Sequence, residues 1–194
     1  MEINISDLTW SKFIYPRGRK SEKTVEAYVE ALAIGAQFPP IKIQRVHNYT
    51  NGNEKTEATL ILDGIHRFFA FEKSGIKKIA AVEWKNKPLD YEKNKISLLL
   101  ESAECNISHG DRLDAKDKKR IARDIASTDP ECNWTESALA EKLGVIRQTV
   151  NTWISDIRAR HHCEPRFLRY PVRSGTRCRK NRGRRQAETR LSFV

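Results

Sequence analysis

Two stretches of the 194-residue chain combine residue types that can do chemistry. In LILDGIHRFFAFEKSG, residues Asp63, Gly64, His66 and Arg67 fall where an apolar strand-like run gives way to a helical pattern. The free N–H groups and positive dipole end of such a helix favour an anion such as phosphate. Gly64 lets a ligand reach the backbone, Arg67 offers a forked guanidinium, and Asp63 could hold a metal ion or a ligand hydroxyl. The same residues also admit a structural reading, in which Asp63 caps the helix and His66 and Arg67 pair with nearby acids.

The second stretch is TESALAEKLGVIRQTVNTWI. Thr135 is a good N-cap, and Leu139, Ala140 and Leu143 share the inner face of a first helix. Gly144 stands where the chain must turn with positive φ. Val145 plugs the turn, and Val150, Trp153 and Ile154 face the core of a second helix. Arg147, Gln148, Thr149, Asn151 and Thr152 are left pointing outward, residue types suited to base edges or phosphates in a major groove. The spacing predicts a helix-turn-helix over 135–159 that binds double-stranded DNA, against the plainer reading of a helical hairpin whose polar face meets water. Ile146 stands where a Ser or Thr cap is expected for the second helix.

The elements that must position these groups follow from periodicity. Ser21 caps a helix running to about Gly35, with Val25, Tyr28, Val29 and Leu32 on one face. Strands are predicted at IKIQRV, ATLILD and IAAVEW, with Asn51-Gly52 marking a hairpin turn between the first two. IHRFFAFEKSG reads as a short helix closed by Gly75. From Pro88 on the pattern is helical, over 90–104, 114–127, 135–143 and 146–159. The expected fold class is α+β: a small mixed domain over 1–88, an all-α domain over 89–160, and a basic tail over 161–194 expected to be disordered.

The formal charge of +11 is concentrated in that tail, which holds nine Arg and one Lys against two Glu. Two readings stand: an electrostatic arm for nucleic acid, or a shifted reading frame or truncated homologous domain. An apolar share of 39% excludes a wholly disordered chain. No apolar run reaches the ~18–20 residues of a membrane span, and the N-terminus lacks the pattern of a secretory signal, so a cytoplasmic location without membrane contact is expected. Cys105, Cys132, Cys163 and Cys178 form no CxxC pair; His161-His162-Cys163 is a minor metal candidate.

DGIHRFFAFEKSGIKKIAAVEW resembles the core motif of the ParB/sulfiredoxin superfamily, which includes partition ParB proteins, sulfiredoxins and an archaeal free serine kinase. PRGRKSEKTVEAYVEALAIGAQFPPIKIQRV is similar to the family's opening. NISHGDRLDAKDKKRIARDIAS resembles the helical segment that follows the core in ParB-like DNA-binding regulators. The resemblance covers about residues 5–160 and implies a nucleotide-binding domain ahead of the helix-turn-helix.

Individual positions sort what the resemblance implies. Sulfiredoxin needs a Cys between the Gly and His of the motif, where Ile65 stands, so that activity is rejected. Partition ParB proteins cradle the triphosphate of CTP with Gly-Glu-Arg-Arg; Gly64-Ile65-His66-Arg67 keeps its Gly and last Arg. Their second nucleotide motif carries Glu-Asn where this chain has Cys105-Asn106, which removes an acid from magnesium-dependent hydrolysis. The serine kinase shares the Asp-Gly-x-His-Arg form, with Glu22 and Glu26 the candidates for its catalytic acid. The resemblance thus implies phosphate contacts from Gly64, His66, Arg67 and Asn106, with Arg17 in the opening turn an additional one. The ligand would be CTP or ATP with Mg2+. The expected function is a ParB-like DNA-binding protein, for partition or transcriptional control, that a nucleotide switches. The alternative is a nucleotide-dependent enzyme, a small-molecule kinase or weak NTPase, with a nuclease ranked last for want of paired carboxylates. A homodimer is a further partner to consider, although no segment is expected to form the C-terminal dimerisation domain of full partition proteins.

Overall fold

Both faces of the strand that begins at Ile41 are covered, and this organises the molecule. The structure, a computed structural model, describes residues 1–51, 54–108, 113–129, 131 and 133–160. The Arg-rich segment 161–194 with its His161-His162-Cys163 cluster and Cys178 lies outside the described residues, as do Gly52 and Cys132. The described residues all fall in one compact unit, to which everything below refers.

In chain order the elements are β1 (Glu2–Asn4), β2 (Leu8–Thr9), α1 (Glu22–Ala33), β3 (Ile41–Asn51), β4 (Glu54–Asp63), α2 (Ile65–Lys73), β5 (Lys78–Glu83), β6 (Leu89–Asp90), α3 (Tyr91–Ser108), α4 (Ala115–Thr128), α5 (Glu136–Leu143) and α6 (Arg147–Arg160). The sheet order is β1-β5-β3-β4-β2, with β6 also beside β3. β3 and β4 are antiparallel, with Ile43 opposite Ile61 and Gln44 opposite Leu60; β3 runs parallel to β5 and β6.

One face of the sheet sends Ile41, Ile43, Ile61, Ile79 and Ala81 against Ile65 and Phe68 of α2. The opposite face sends Val46, Leu60 and Leu62 against Leu89, Tyr91 and Leu98. The next residues of α3, Leu99, Leu100 and Ala103, enter a second core with Ile121 and Ile125 of α4, Leu139 and Leu143 of α5, and Val150 and Ile154 of α6. α3 is therefore shared between two cores, and the sheet's core draws on residues that follow Pro88.

The expected caps form: Ser21 Oγ accepts from Thr24 N at 3.2 Å, and Thr135 Oγ1 from Ala138 N at 3.2 Å. Three elements are longer than periodicity indicates, β4 among them, which starts at Glu54 and not at Ala58. β3 continues past Val46 to Asn51 as a polar ribbon paired with β4, where HNYTN offers no apolar alternation; α3 runs to Ser108 instead of ending near 104. Gln44, on a strand position with a polar side chain, is fully buried. Its amide pays its desolvation by accepting from Lys85 N at 2.9 Å and donating to Lys87 O at 3.0 Å, which ties down the loop after β5.

Gly64 (φ +95) and Gly144 (φ +59) both adopt left-handed backbone, at the start of α2 and the end of α5. Their surroundings differ. A Cβ on Gly64 would meet Ile41 Cγ2 at 2.7 Å, whereas on Gly144 it would meet nothing nearer than 3.8 Å. Gly144→Ala should cost about 1 kcal/mol for the backbone alone, and Gly64→Ala a further ~1–3 kcal/mol for overpacking. Urea denaturation of the two variants checks this; equal losses would contradict the close approach at Ile41.

Candidate functional site

A cleft of about 290 Å³ opens where β4 passes into α2. Arg17, Asp63, Gly64, His66, Arg67 and Asn106 all line it, although they come from three separate parts of the chain. Arg17 arrives on the loop between β2 and α1, residues 63–67 on the β4–α2 turn, and Asn106 on the last turns of α3. Tyr28, Phe38 and Cys105 complete much of the wall.

Arg17 and Asn106 meet directly: Arg17 Nη2 donates to Asn106 Oδ1 at 3.1 Å. Asn106 Nδ2 donates in turn to Ser102 O at 2.8 Å. Ser102, buried on α3, donates its hydroxyl to Leu62 O and so fastens α3 to the strand that ends at the turn. His66 Nε2 accepts the Ser21 backbone N–H at 3.2 Å, and the Tyr15 hydroxyl lies 3.5 Å from the same nitrogen. A neutral ring accepting at Nε2 carries its hydrogen on Nδ1. His66 thereby joins the start of α2 to the start of α1.

Arg67 is held from several sides. Nη2 donates to Asp63 Oδ2 at 2.8 Å, and Nη1 donates to the carbonyl oxygens of Pro39 and, at 3.1 Å, Pro40. Asp63 thus accepts from Arg67, and α2 opens at Gly64 without a side-chain cap. The first N–H groups of α2 and its positive dipole end lie at the cleft, the arrangement that suits an oxyanion. Glu22 and Glu26 do not line the cleft; Glu22 pairs with Lys20 at 2.8 Å and Lys73 at 3.3 Å. Among the described residues no group of three or more His, Cys, Asp or Glu is placed to hold a metal ion.

Cys105 stands beside Asn106. Burial pushes its thiol pKa up, against the opposing pull of Lys42, whose Nζ lies 3.5 Å from Sγ. Burial disfavours the Lys42 ammonium, yet hydrogen bonding to Glu101 leaves its pKa raised. Glu101, one turn before Cys105, is therefore neutralised by Lys42. Position 105 supplies the cleft with a neutral thiol, not a carboxylate.

The outward residues of α6 are placed as follows. Arg147, Gln148 and Asn151 surround a shallow exposed depression together with Ile146, which is 69% exposed. In the sequence Ile146 is marked only as a missing cap. Its side chain instead belongs to this surface, and its carbonyl accepts from Thr149 N at 3.0 Å. Thr149 is half-buried, and Thr152 returns its hydroxyl to Gln148 O at 2.9 Å. Val145 N donates to Ala140 O at 3.0 Å across the turn, and Val145 packs on the core.

The mixed sheet, the β4–α2 turn and the helical layer that follows define a ParB-like α+β fold. A solved Pnob8-like ParB-N domain is similar at 15% identity, over 82% of this chain and 69% of that one, with a TM-score of 0.56. Two structures of the C-terminally truncated chromosome-partitioning protein ParB from Caulobacter crescentus also align. One is complexed to the centromeric parS site (16% identity, 79% of this chain, 70% of that one, TM-score 0.47), the other with CTP-γ-S (18%, 79%, 76%, 0.43). No family model and no curated sequence matches the chain. At such identities the likeness is one of fold, and it rests on the ParB-N domain. Among the described residues no helix is long and apolar enough to cross a membrane.

The raised thiol pKa predicts that alkylation of Cys105 by iodoacetamide, followed on its own peptide, rises with pH through a midpoint above the ~8.5 of a free cysteine. A midpoint below that value would mean that Lys42 outweighs burial.

Proposed function

We propose that the protein is a ParB-like DNA-binding protein, acting in partition or transcriptional control, whose cleft binds a nucleoside triphosphate through its phosphates. The observation that carries this is the convergence of Arg17, the 63–67 turn and Asn106 on one cleft at the uncapped start of α2. Cationic and amide donors from three chain segments around helix N–H groups are what an extended polyphosphate requires. In this reading Gly64 admits the phosphates to the backbone, and Arg17, His66 and Asn106 contact them. Arg67 keeps a double role, ordering the turn through Asp63 and lending charge.

The pairing of Asp63 with Arg67 and the neutral thiol at 105 favour holding a nucleotide over transferring its phosphoryl group, so the kinase or NTPase reading ranks second. CTP comes first among candidate ligands, because the sequence resemblance is to proteins that cradle it. In the helical layer, α5, the turn at 144–146 and α6 would act as the helix-turn-helix, with Arg147, Gln148 and Asn151 reading base edges and Thr149 and Thr152 near the backbone.

Calorimetry of CTP and ATP with the full chain, with and without duplex DNA, tests the cleft. Binding that changes when DNA is present supports a nucleotide-responsive DNA-binding protein; binding of ATP indifferent to DNA favours the kinase; binding of neither removes the nucleotide role. For α6, Gln148→Ala should lower preference for a site selected from random duplexes by about 1–3 kcal/mol and leave nonspecific binding nearly unchanged. Equal loss on both DNAs would make Gln148 a phosphate contact, contrary to this assignment.

A further inference from the structure

Ile146 is 69% exposed, whereas Val145 and Val150 near it in the chain pack on the helical core. It occupies the cap position of α6: its carbonyl accepts from Thr149 N at 3.0 Å, and its side chain has no oxygen to offer the first N–H groups. A Ser or Thr there would stabilise the helix, so the chain forgoes a cap and leaves a branched hydrocarbon in water. Single exposed apolar residues are ordinary on a protein surface, and Ile34 and Val82 are such cases. The surroundings set Ile146 apart. Arg147, Gln148 and Asn151 line the same depression, both amides are exposed, and no carboxylate lines it. Glu136, which lies 3.6 Å from Arg147, is itself held by Arg158. A further cation flanks the turn, where Lys118 Nζ lies 3.5 Å from Gly144 O.

An apolar point in a cationic, amide-lined hollow matches the major-groove edge of an A·T pair. Adenine offers N7 and its N6 amino group to an Asn or Gln amide, and thymine carries a C5-methyl group beside O4. A lone phosphate would leave Ile146 unused, and an apolar peptide would strand Arg147 and the amides. We propose that Ile146 is a specificity-determining residue that packs on the C5-methyl of a thymine in duplex DNA. Gln148 or Asn151 then bonds an adenine of the same or the next base pair. The proposal rests on the reading of α6 as the DNA-reading helix and adds the base feature which that helix selects. In helix-turn-helix docking the N-terminal residues of the second helix reach the base edges, and Ile146 directly precedes Arg147, the first residue of α6. The missing cap then has a cause: a hydroxyl would satisfy the helix, whereas a hydrocarbon reads a methyl group.

The test uses the full-length protein and the duplex it selects from a random pool, with affinities taken by fluorescence anisotropy at one salt concentration. Each thymine of that duplex is replaced singly by deoxyuridine, which keeps the hydrogen-bonding edge and lacks the methyl. At one thymine the replacement should weaken wild-type binding about fourfold, the worth of one buried methyl group. In I146A that difference should vanish. I146S supplies the cap oxygen, so it should melt at or above wild type while losing the same discrimination, which separates methyl reading from folding. A 5-methylcytosine–guanine pair at that position keeps the methyl but changes the polar edge, and should bind more weakly than thymine–adenine. The proposal is overturned if no thymine matters by as much as about twofold. An equal deoxyuridine cost in I146A and wild type, or tighter binding of the 5-methylcytosine pair, would also overturn it. Failure to select any preferred duplex would sink the reading of α6, and this proposal with it.

Discussion

One guanidinium holds the β4–α2 turn together. Arg67 grips the carboxylate of Asp63 at the end of β4 and the carbonyls of Pro39 and Pro40 at the entrance to β3, while its own backbone lies in the first turn of α2. Only a planar fork with several donors can hold three chain segments in this way. Its side chain is 13% exposed, so these bonds are only partly screened by solvent. Because Gly64 packs against Ile41 and Arg67 at close range, the turn also excludes any side chain at 64. The cleft exists because the backbone is forced to approach here and then leaves as an uncapped helix.

Everything else at the cleft is built outward from that turn. Ser102 ties α3 to Leu62, which places Asn106 across from α2; Asn106 receives Arg17; His66 receives the amide that opens α1. The charge balance follows from the same contacts. Asp63 is matched by Arg67, Glu101 is matched by Lys42, and Cys105 is kept as a thiol by burial. The nearby acids are thus neutralised while Arg17 and the helix N–H groups face the cleft, which leaves the site attractive to an anion.

The parts legible in the sequence were those with local causes. Ser21, Thr135 and Gly144 announced helix ends because caps and left-handed turns depend on the residue itself. The convergence of residues 63–67 with Arg17 and Asn106 was expected from a family resemblance, not from spacing, because 45 or 38 intervening positions carry no local signal of proximity. What stayed hidden depends on tertiary partners. The sequence left Arg67 either a phosphate ligand or the partner of a nearby acid, and the carbonyls of Pro39 and Pro40 are contacts no periodicity reveals. The burial of Gln44 is decided by the 85–87 loop laid over it, which no strand period reveals. Ile146 read as a defect of capping, although its exposure beside Arg147 and Gln148 makes it part of a surface.

Hydrogen exchange of the full-length protein with and without CTP, repeated with ATP, tests the central claim most directly, because it reports each chain segment separately. If the cleft is a triphosphate site, backbone amides at 15–18, at 64–68 and at 102–106 gain protection together on addition of one of the nucleotides. No change in any of the three, or protection confined to one of them, would contradict a site assembled from all three segments.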